Sequence, residues 1–259
     1  PSLGGKCVTT INGMEFSDPV SHGVGGAMSI AASDPTTSMV PIPDSPGFYI
    51  DQSTGEIVGP PGTQIDPCQP SLGEIVAECL ELALQAPTGS NRQGWQWVFV
   101  EDDDTKRALA DIYRANFAQY RGLPRPRYGD DDVRGQRLDA VSDSADYLAQ
   151  NFERAPVLMI PCIEAPRDNM PTFLGASLWG SLLPAVWSFM LALRERGLGS
   201  AWTTIHLMND GEREAADLLG IPYERYAQAG LFPIAYTIGT DFKPAARLPV
   251  ESVWHWDRW

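Results

Sequence analysis

The stretch from Leu174 to Arg196 is the longest apolar helical pattern in the chain, and its apolar positions are not confined to one face. Leu178, Leu182 and Val186 share one side, while Trp179, Leu183, Trp187 and Leu191 spread onto the next. A helix that is apolar around much of its circumference must be buried within the protein or against another chain. Lipid is a poor third cover, because Ser177, Gly180, Ser181 and Ser188 interrupt the surface and nothing nearby has membrane character. Pro184 is expected to bend the helix, since proline lacks an amide donor and crowds the preceding turn. Gly197 is expected to end it.

The cover comes from elements on both sides in sequence. Ser71 and Glu74 have the spacing of a capping box, and the apolar positions after them predict a helix ending near Ala86. A strand, Gln96 to Glu101, follows, then helices over Asp102–Tyr120 and Arg134–Phe152 joined by a surface loop at Arg121–Asp132. Pro156 to Ile163 is a continuous apolar run, as a central strand buried on both faces requires. A short helix over Asp210–Gly220, capped by Asn209 or Asp210, and a buried strand over Ala229–Gly239 complete an α+β pattern. Residues 1–70 differ: Gly and Pro recur, and Lys6 is the only basic residue. They form an irregular extension to a domain at 71–259, with one small hairpin expected between Phe48-Tyr49-Ile50 and Glu56-Ile57-Val58. A disordered arm, a strap around a partner subunit, and sequence outside the native product are the three accounts of this extension.

A formal charge of −14 over 259 residues gives no basic footprint for nucleic acid or an anionic membrane. No apolar run predicts a membrane anchor, and no secretory signal is evident at the N-terminus, although Pro1 leaves any earlier segment unseen. Cys7, Cys68, Cys79 and Cys162 are too scattered for a metal or dithiol site, which fits a reducing, cytoplasmic setting. No metal site is expected. His22, His206 and His255 are far apart, and neither a nucleophile elbow nor a phosphate-binding glycine loop is present. The side chains therefore supply no conventional catalytic constellation.

Three short segments stand out. Ala86 to Trp97 is APTGSNRQGWQW, either an ordinary helix-to-strand loop with a core tryptophan or a loop whose small residues let backbone approach a flat ligand. Gly197 to Thr204 is GLGSAWTT, and Lys243 to Pro249 is KPAARLP. The first resembles the A-P-S-x-x-N-x-Q-P-W signature of the FMN-dependent nitroreductase family, with Thr88 for serine and Gly94 for proline. The second resembles that family's Gly-Leu-Gly-[Ser/Thr]-x-W segment, Gly220-Ile221-Pro222 its Leu-Gly-Ile-Pro stop, and the third its Lys/Arg-x-Arg-x-P segment. The resemblance runs from about Ser71 to Trp259.

It implies a nitroreductase-like fold: a central mixed sheet flanked by helices, a long buried dimer helix, and extended N- and C-terminal arms. It also implies a homodimer with flavin sites shared between subunits. Pro87, Thr88, Gly89 and Asn91 would meet the partner's flavin, and a backbone N–H at Thr203 or Thr204, next to Trp202, would meet flavin N5. On their residues alone, Trp202 is equally a core side chain and the threonines ordinary strand residues. Arg247, with Lys243, would hold the FMN phosphate, the alternative for Arg247 being a solvated charge. His206 either lines the site or is a structural histidine, and Arg125, Arg127 and Tyr128 either contact substrate or belong to a solvated loop. Trp254, Trp256 and Trp259 predict a terminal strand or arm laid against protein. The implied reaction is ping-pong transfer from NAD(P)H through FMN to a nitroaromatic, a quinone or another electron-poor acceptor. The family's Arg-x-Ser-x-Arg phosphate segment is not found, since no arginine precedes Arg92. That leaves a flavin-free or flavin-sequestering binding protein as the alternative, and residues 1–70 as a docking strap compatible with either.

Overall fold

The computed structural model describes residues 39–41, 49–51, 57–58, 70–129, 132–168, 170–237 and 244–259. Three short strands come first: β1 (Met39–Pro41), β2 (Tyr49–Asp51) and β3 (Ile57–Val58), paired antiparallel in that order. The β2–β3 pair is the hairpin expected in the extension.

The main body begins with α1 (Leu72–Ala83) and β4 (Trp95–Val100). Ser71 Oγ accepts the Glu74 N–H while the Glu74 carboxylate accepts the Ser71 N–H, so the capping box is closed in both directions. Next come α2 (Asp103–Arg121), α3 (Leu138–Asn151), β5 (Val157–Glu164) and α4 (Thr172–Glu195). The chain continues through β6 (Leu198–Ser200), α5 (Gly211–Leu219), β7 (Tyr226–Gln228) and β8 (Phe232–Tyr236).

The five strands β4 to β8 form one sheet in the order β4-β5-β8-β6, with β7 also on β5. Its strand pairs are antiparallel, which corrects the expectation of a mixed sheet. The connections give the reason. Two helices lie between β4 and β5 and reverse the chain between them. The single helix α4 brings β6 back in the direction of β5, but β8 lies between the two and opposes both.

Alternation along β5 explains its continuous apolar sequence. Val157, Met159 and Ile163 face a core shared with α1 and α4, whereas Leu158, Ile160 and Cys162 face one shared with α2, α3 and α5. Burial of each large apolar side chain here stabilises by about 1.5–3 kcal/mol. The sheet is therefore a middle layer between two layers of helix. By length and composition α4 could cross a membrane. Here Leu182, Val186, Phe189 and Leu193 pack into the first core. Its other side carries Phe173, Pro184, Trp187 and Leu191 outward. The helix runs without interruption through Pro184, and Gly197, at φ +77°, follows its end.

The strand expected over Ala229–Gly239 is divided. β7 and β8 both pair with β5, but Ala229, Gly230 and Leu231 interrupt them, and Leu231 turns away to bridge Thr203. Gly230 is required at that break. A Cβ there would lie 2.7 Å from Trp202 Nε1 and 2.8 Å from the Thr203 carbonyl. The C-terminal residues form an exposed turn at Val250–Ser252 rather than a strand, and Trp254, Trp256 and Trp259 are all exposed.

Candidate functional site

The Ala86–Gly94 loop is a strained segment held by its neighbours. Ser90, Asn91 and Gln93 have φ of 53°, 53° and 48°. Asparagine tolerates that region, whereas such conformations cost about 1–3 kcal/mol where the surroundings must impose them. Those surroundings are specific. The Gly89 N–H donates to Ser181 Oγ at 2.9 Å, and Ser181 Oγ donates to the Ser177 carbonyl at 2.6 Å. Thr88 Oγ1 accepts the Gln93 N–H, and Asn91 Oδ1 accepts from Gln93 Nε2. Ser181, which interrupts the apolar pattern of α4, thus anchors the loop, its hydroxyl oriented by the Ser177 carbonyl. Thr88, Gly89 and Arg92 line a cleft with Glu164, Ser177 and Ser181, while Pro87 is exposed. An adjoining cleft of about 300 Å³ lies between Arg92, Glu164, Leu174 and Arg225. Trp95 is buried in the core, as the loop reading of this stretch anticipates.

The second segment separates two neighbours that sequence alone leaves equivalent. Thr203 is buried and fully engaged: its N–H donates to the Leu231 carbonyl at 3.3 Å and its carbonyl accepts the Leu231 N–H at 2.8 Å. Its hydroxyl oxygen accepts the Ile205 N–H, and the buried Tyr113 lies beside its side chain. Thr204 is exposed, and among the described residues no hydrogen bond engages its N–H. Its carbonyl accepts the Leu207 N–H, which starts the turn Ile205–Leu207. Trp202 is partly exposed; its indole donates to the Ala229 carbonyl at 3.0 Å and its ring rests on Phe232. Of the two threonines, Thr204 is therefore the one whose peptide N–H is free among the described residues.

His206, in the middle of that turn, is fully buried and does not line the surface. Its Nε2 lies 3.0 Å from Gln228 Oε1, and Gln228 Nε2 donates to the Glu212 carbonyl. Gln228 Oε1 can only accept, so the imidazole carries its proton on Nε2. Nδ1 has no donor among the described residues, and an orphaned buried acceptor costs about 1–3 kcal/mol. Burial pushes the pKa of His206 down to about 4, so the ring is neutral at pH 7. Gln228 and the Glu212 carboxylate oppose that shift without cancelling it.

Arg247 is exposed and donates to the Ala246 carbonyl, which leaves most of its fork open to solvent. Lys243 lies outside the described residues. Arg125, Arg127 and Tyr128 sit in an irregular, mostly exposed loop. Neither cleft at the 88–94 loop includes Thr203, Thr204 or Arg247. One chain thus holds the sequence-predicted residues as separate groups. In kind they suit FMN: a free peptide N–H, a guanidinium, and a loop of small residues without bulky cover. No group of His, Cys, Asp and Glu among the described residues has the arrangement of a metal site.

A model of the nitroreductase family matches residues 73–236. The chain belongs to the nitroreductase family. Among solved structures, the family fold is shared with iodotyrosine deiodinase bound to FMN and 3-iodo-L-tyrosine, at 25% identity and a TM-score of 0.52, over 72% of this chain and 88% of that one. It is shared too with the FMN- and NADPH-dependent nitroreductase NfnB from Sphigopyxis sp. strain HMH, at 22% identity and a TM-score of 0.52, over 74% and 92%. A BluB-like flavoprotein from Clostridium difficile 630 has 18% identity and a TM-score of 0.51, over 74% and 92%. The last two likenesses concern the fold. No curated protein sequence matches. Within this nitroreductase-family chain, sequence reasoning missed Ser177, Ser181, Tyr113 and Gln228 as supports of the two segments. Ser181 carried a signal, as a polar residue inside an apolar helix, whereas Ser177 acts through its main-chain carbonyl, which any residue supplies. Tyr113 and Gln228 carried none, because their partners are remote in sequence.

Proposed function

We propose that the chain is a flavin-dependent oxidoreductase that takes NAD(P)H as reductant and an electron-poor acceptor, such as a nitroaromatic or a quinone, as substrate. The observation that carries this reading is the unbonded N–H of the exposed residue Thr204, beside a Thr203 whose own amide and carbonyl are tied into the sheet. When bound, FMN supplies the hydride chemistry, accepting from the nicotinamide and passing reducing equivalents to the acceptor. The protein supplies position and field. Thr204 presents a fixed N–H dipole at the edge of the site, where it stabilises developing negative charge without reorganising. Trp202 gives that edge an apolar wall. Arg247, with Lys243, holds the phosphate through charge-assisted hydrogen bonds. Pro87, Thr88, Gly89 and Asn91 close over the flavin of a second copy, so that water is kept from the reacting face.

A homodimer with two shared sites follows from the same reading. Its support is the outward face of α4, where Phe173, Trp187 and Leu191 are exposed in the single chain. In this reading 71–259 is the catalytic domain, 1–70 an extension to it, and the protein works in the cytoplasm.

One observation favours a second reading. No arginine precedes Arg92, so a phosphate dianion has few cations to meet it. On that ground the fold serves as a flavin-free or flavin-sequestering binding protein. The visible spectrum of the purified protein, taken before and after addition of FMN, separates the two. Bound-flavin bands that bleach with NADH or NADPH and return with a nitroaromatic or a quinone are expected of the enzyme. Failure to take up FMN eliminates it, and bound flavin that NAD(P)H cannot reduce selects the sequestering protein.

A further inference from the structure

The turn after Thr204 is gripped more tightly than a surface turn needs. Asn116 Nδ2, from α2, donates to the His206 carbonyl at 3.3 Å, and Asn209 Nδ2 in turn donates to Asn116 Oδ1 at 2.7 Å. α5 approaches so closely that a Cβ on Gly211 would lie 2.1 Å from the same carbonyl. From the sheet side, Gln228 holds the imidazole. Gln228 is itself fixed twice by Glu212, which accepts its backbone N–H at 2.9 Å and its side-chain amide at 2.8 Å. The Glu212 carboxylate pairs with Arg167 at 2.8 Å, and Arg167 also donates to the carbonyls of Tyr223 and Tyr226.

A chain of polar contacts thus runs from Arg167 through Glu212 and Gln228 to His206, the middle residue of the turn that begins with Thr204. An apolar side chain would fill the same space without an orphaned Nδ1. What the imidazole adds is direction, a side-chain hydrogen bond to Gln228 that restrains the rotation of the turn alongside the Asn116 contact to the His206 carbonyl. The Thr203 carbonyl, which shares a peptide plane with the Thr204 N–H, is held by the Leu231 N–H. We propose that His206 is a positioning residue, held as its Nε2–H tautomer by Gln228, that braces the turn on the other side of that peptide and so, together with the Thr203–Leu231 pair, sets the orientation of the Thr204 N–H at the flavin edge. The proposal rests on the flavin reading of the Thr203–Thr204 segment.

The test uses the full chain with FMN, and its readout is the affinity for reduced flavin relative to oxidised flavin, obtained from the midpoint potential of the bound cofactor. In His206→Leu, oxidised FMN is expected to bind within threefold of wild type, because the phosphate contacts are untouched. The reduced-to-oxidised affinity ratio is expected to fall about tenfold, a midpoint shift of ~30 mV for a two-electron couple. His206→Gln, which restores an N–H toward Gln228, should recover most of that shift. An unchanged potential in His206→Leu makes His206 a structural histidine and overturns the proposal.

If His206→Leu does not fold, Gln228→Met removes the acceptor while keeping the imidazole, and the same potential is read. The wild-type protein gives a further check through imidazole nitrogen NMR at pH 7, where the Nε2–H tautomer is expected and Nδ1–H overturns the assignment. Wild-type protein that takes up no FMN removes the underlying reading together with the proposal, and that result is seen before any variant is made.

Discussion

His206 is charged with more ease in the unfolded chain than in the folded one, and stability must follow. Its folded pKa of about 4 lies below the ordinary 6.5 because burial penalises the imidazolium. Between those values the unfolded chain binds a proton that the folded chain refuses, so stability rises with pH. The contribution is whole above about pH 6.5 and is lost as pH falls toward 4, amounting to roughly 3 kcal/mol. Urea unfolding of wild type and His206→Gln at pH 7.5 and pH 5 should show the wild type losing about 2 kcal/mol more than the variant; equal losses would mean that the ring is protonated freely in the fold. Arg247 gives a second expectation at this scale. A charge-assisted contact is worth about 1.5–3 kcal/mol, so Arg247→Ala should weaken FMN binding by about 10- to 150-fold. Fluorescence titration with FMN checks this, and unchanged affinity removes Arg247 as the phosphate anchor. What decides between Thr203 and Thr204 was not legible in the sequence. Two adjacent threonines look alike until Leu231 takes the amide of one of them.

At the scale of elements, local signals were legible where a segment settles its own structure. The Ser71–Glu74 cap, the glycine stop at Gly197 and the two-faced apolar strand β5 all follow from residues within a few positions of one another. The break between β7 and β8 does not. An apolar run over Ala229–Gly239 suggests one strand, and only the approach of Trp202 and Thr203 reveals why Gly230 must interrupt it. Of the strand or arm expected at the C-terminus, the strand does not form, for a related reason: alternating tryptophans state that cover is needed, but a strand also needs an edge to pair with, which Trp254–Trp259 does not meet among the described residues. Gly230 therefore carries an element-level prediction. Gly230→Ala forces a Cβ against the Thr203 carbonyl and the Trp202 indole at a φ of +157°, so the Thr203–Leu231 bridge must yield. Thermal unfolding should show a loss of about 2–4 kcal/mol, with FMN affinity reduced in the material that folds. A variant with wild-type melting and affinity would show that the bridge does not support the site.

For the whole molecule, the division of the predicted cofactor residues into separate groups is the property that matters most. The loop at Thr88–Asn91 is built on α4 through Ser177 and Ser181, and α4 also carries the exposed Phe173, Trp187 and Leu191 on its outward side. In the shared-site reading, a second copy laid on that side covers this apolar surface, and each loop serves the other chain's site. Buried tryptophans at such interfaces are commonly worth 2 kcal/mol or more, and an unpaired charge in their place costs several. Sedimentation velocity should therefore find the wild type dimeric and Trp187→Arg monomeric. Trp187 lines neither cleft beside the Thr88–Gly94 loop, so a cofactor site complete within one chain would keep its flavin through that change. A shared site would not: FMN affinity should fall at least tenfold in the monomeric variant, and raising protein concentration until dimers return should restore it. A Trp187→Arg monomer that binds FMN as the wild type does would place the whole site in one chain and end the shared-site reading, whatever the chemistry of the flavin.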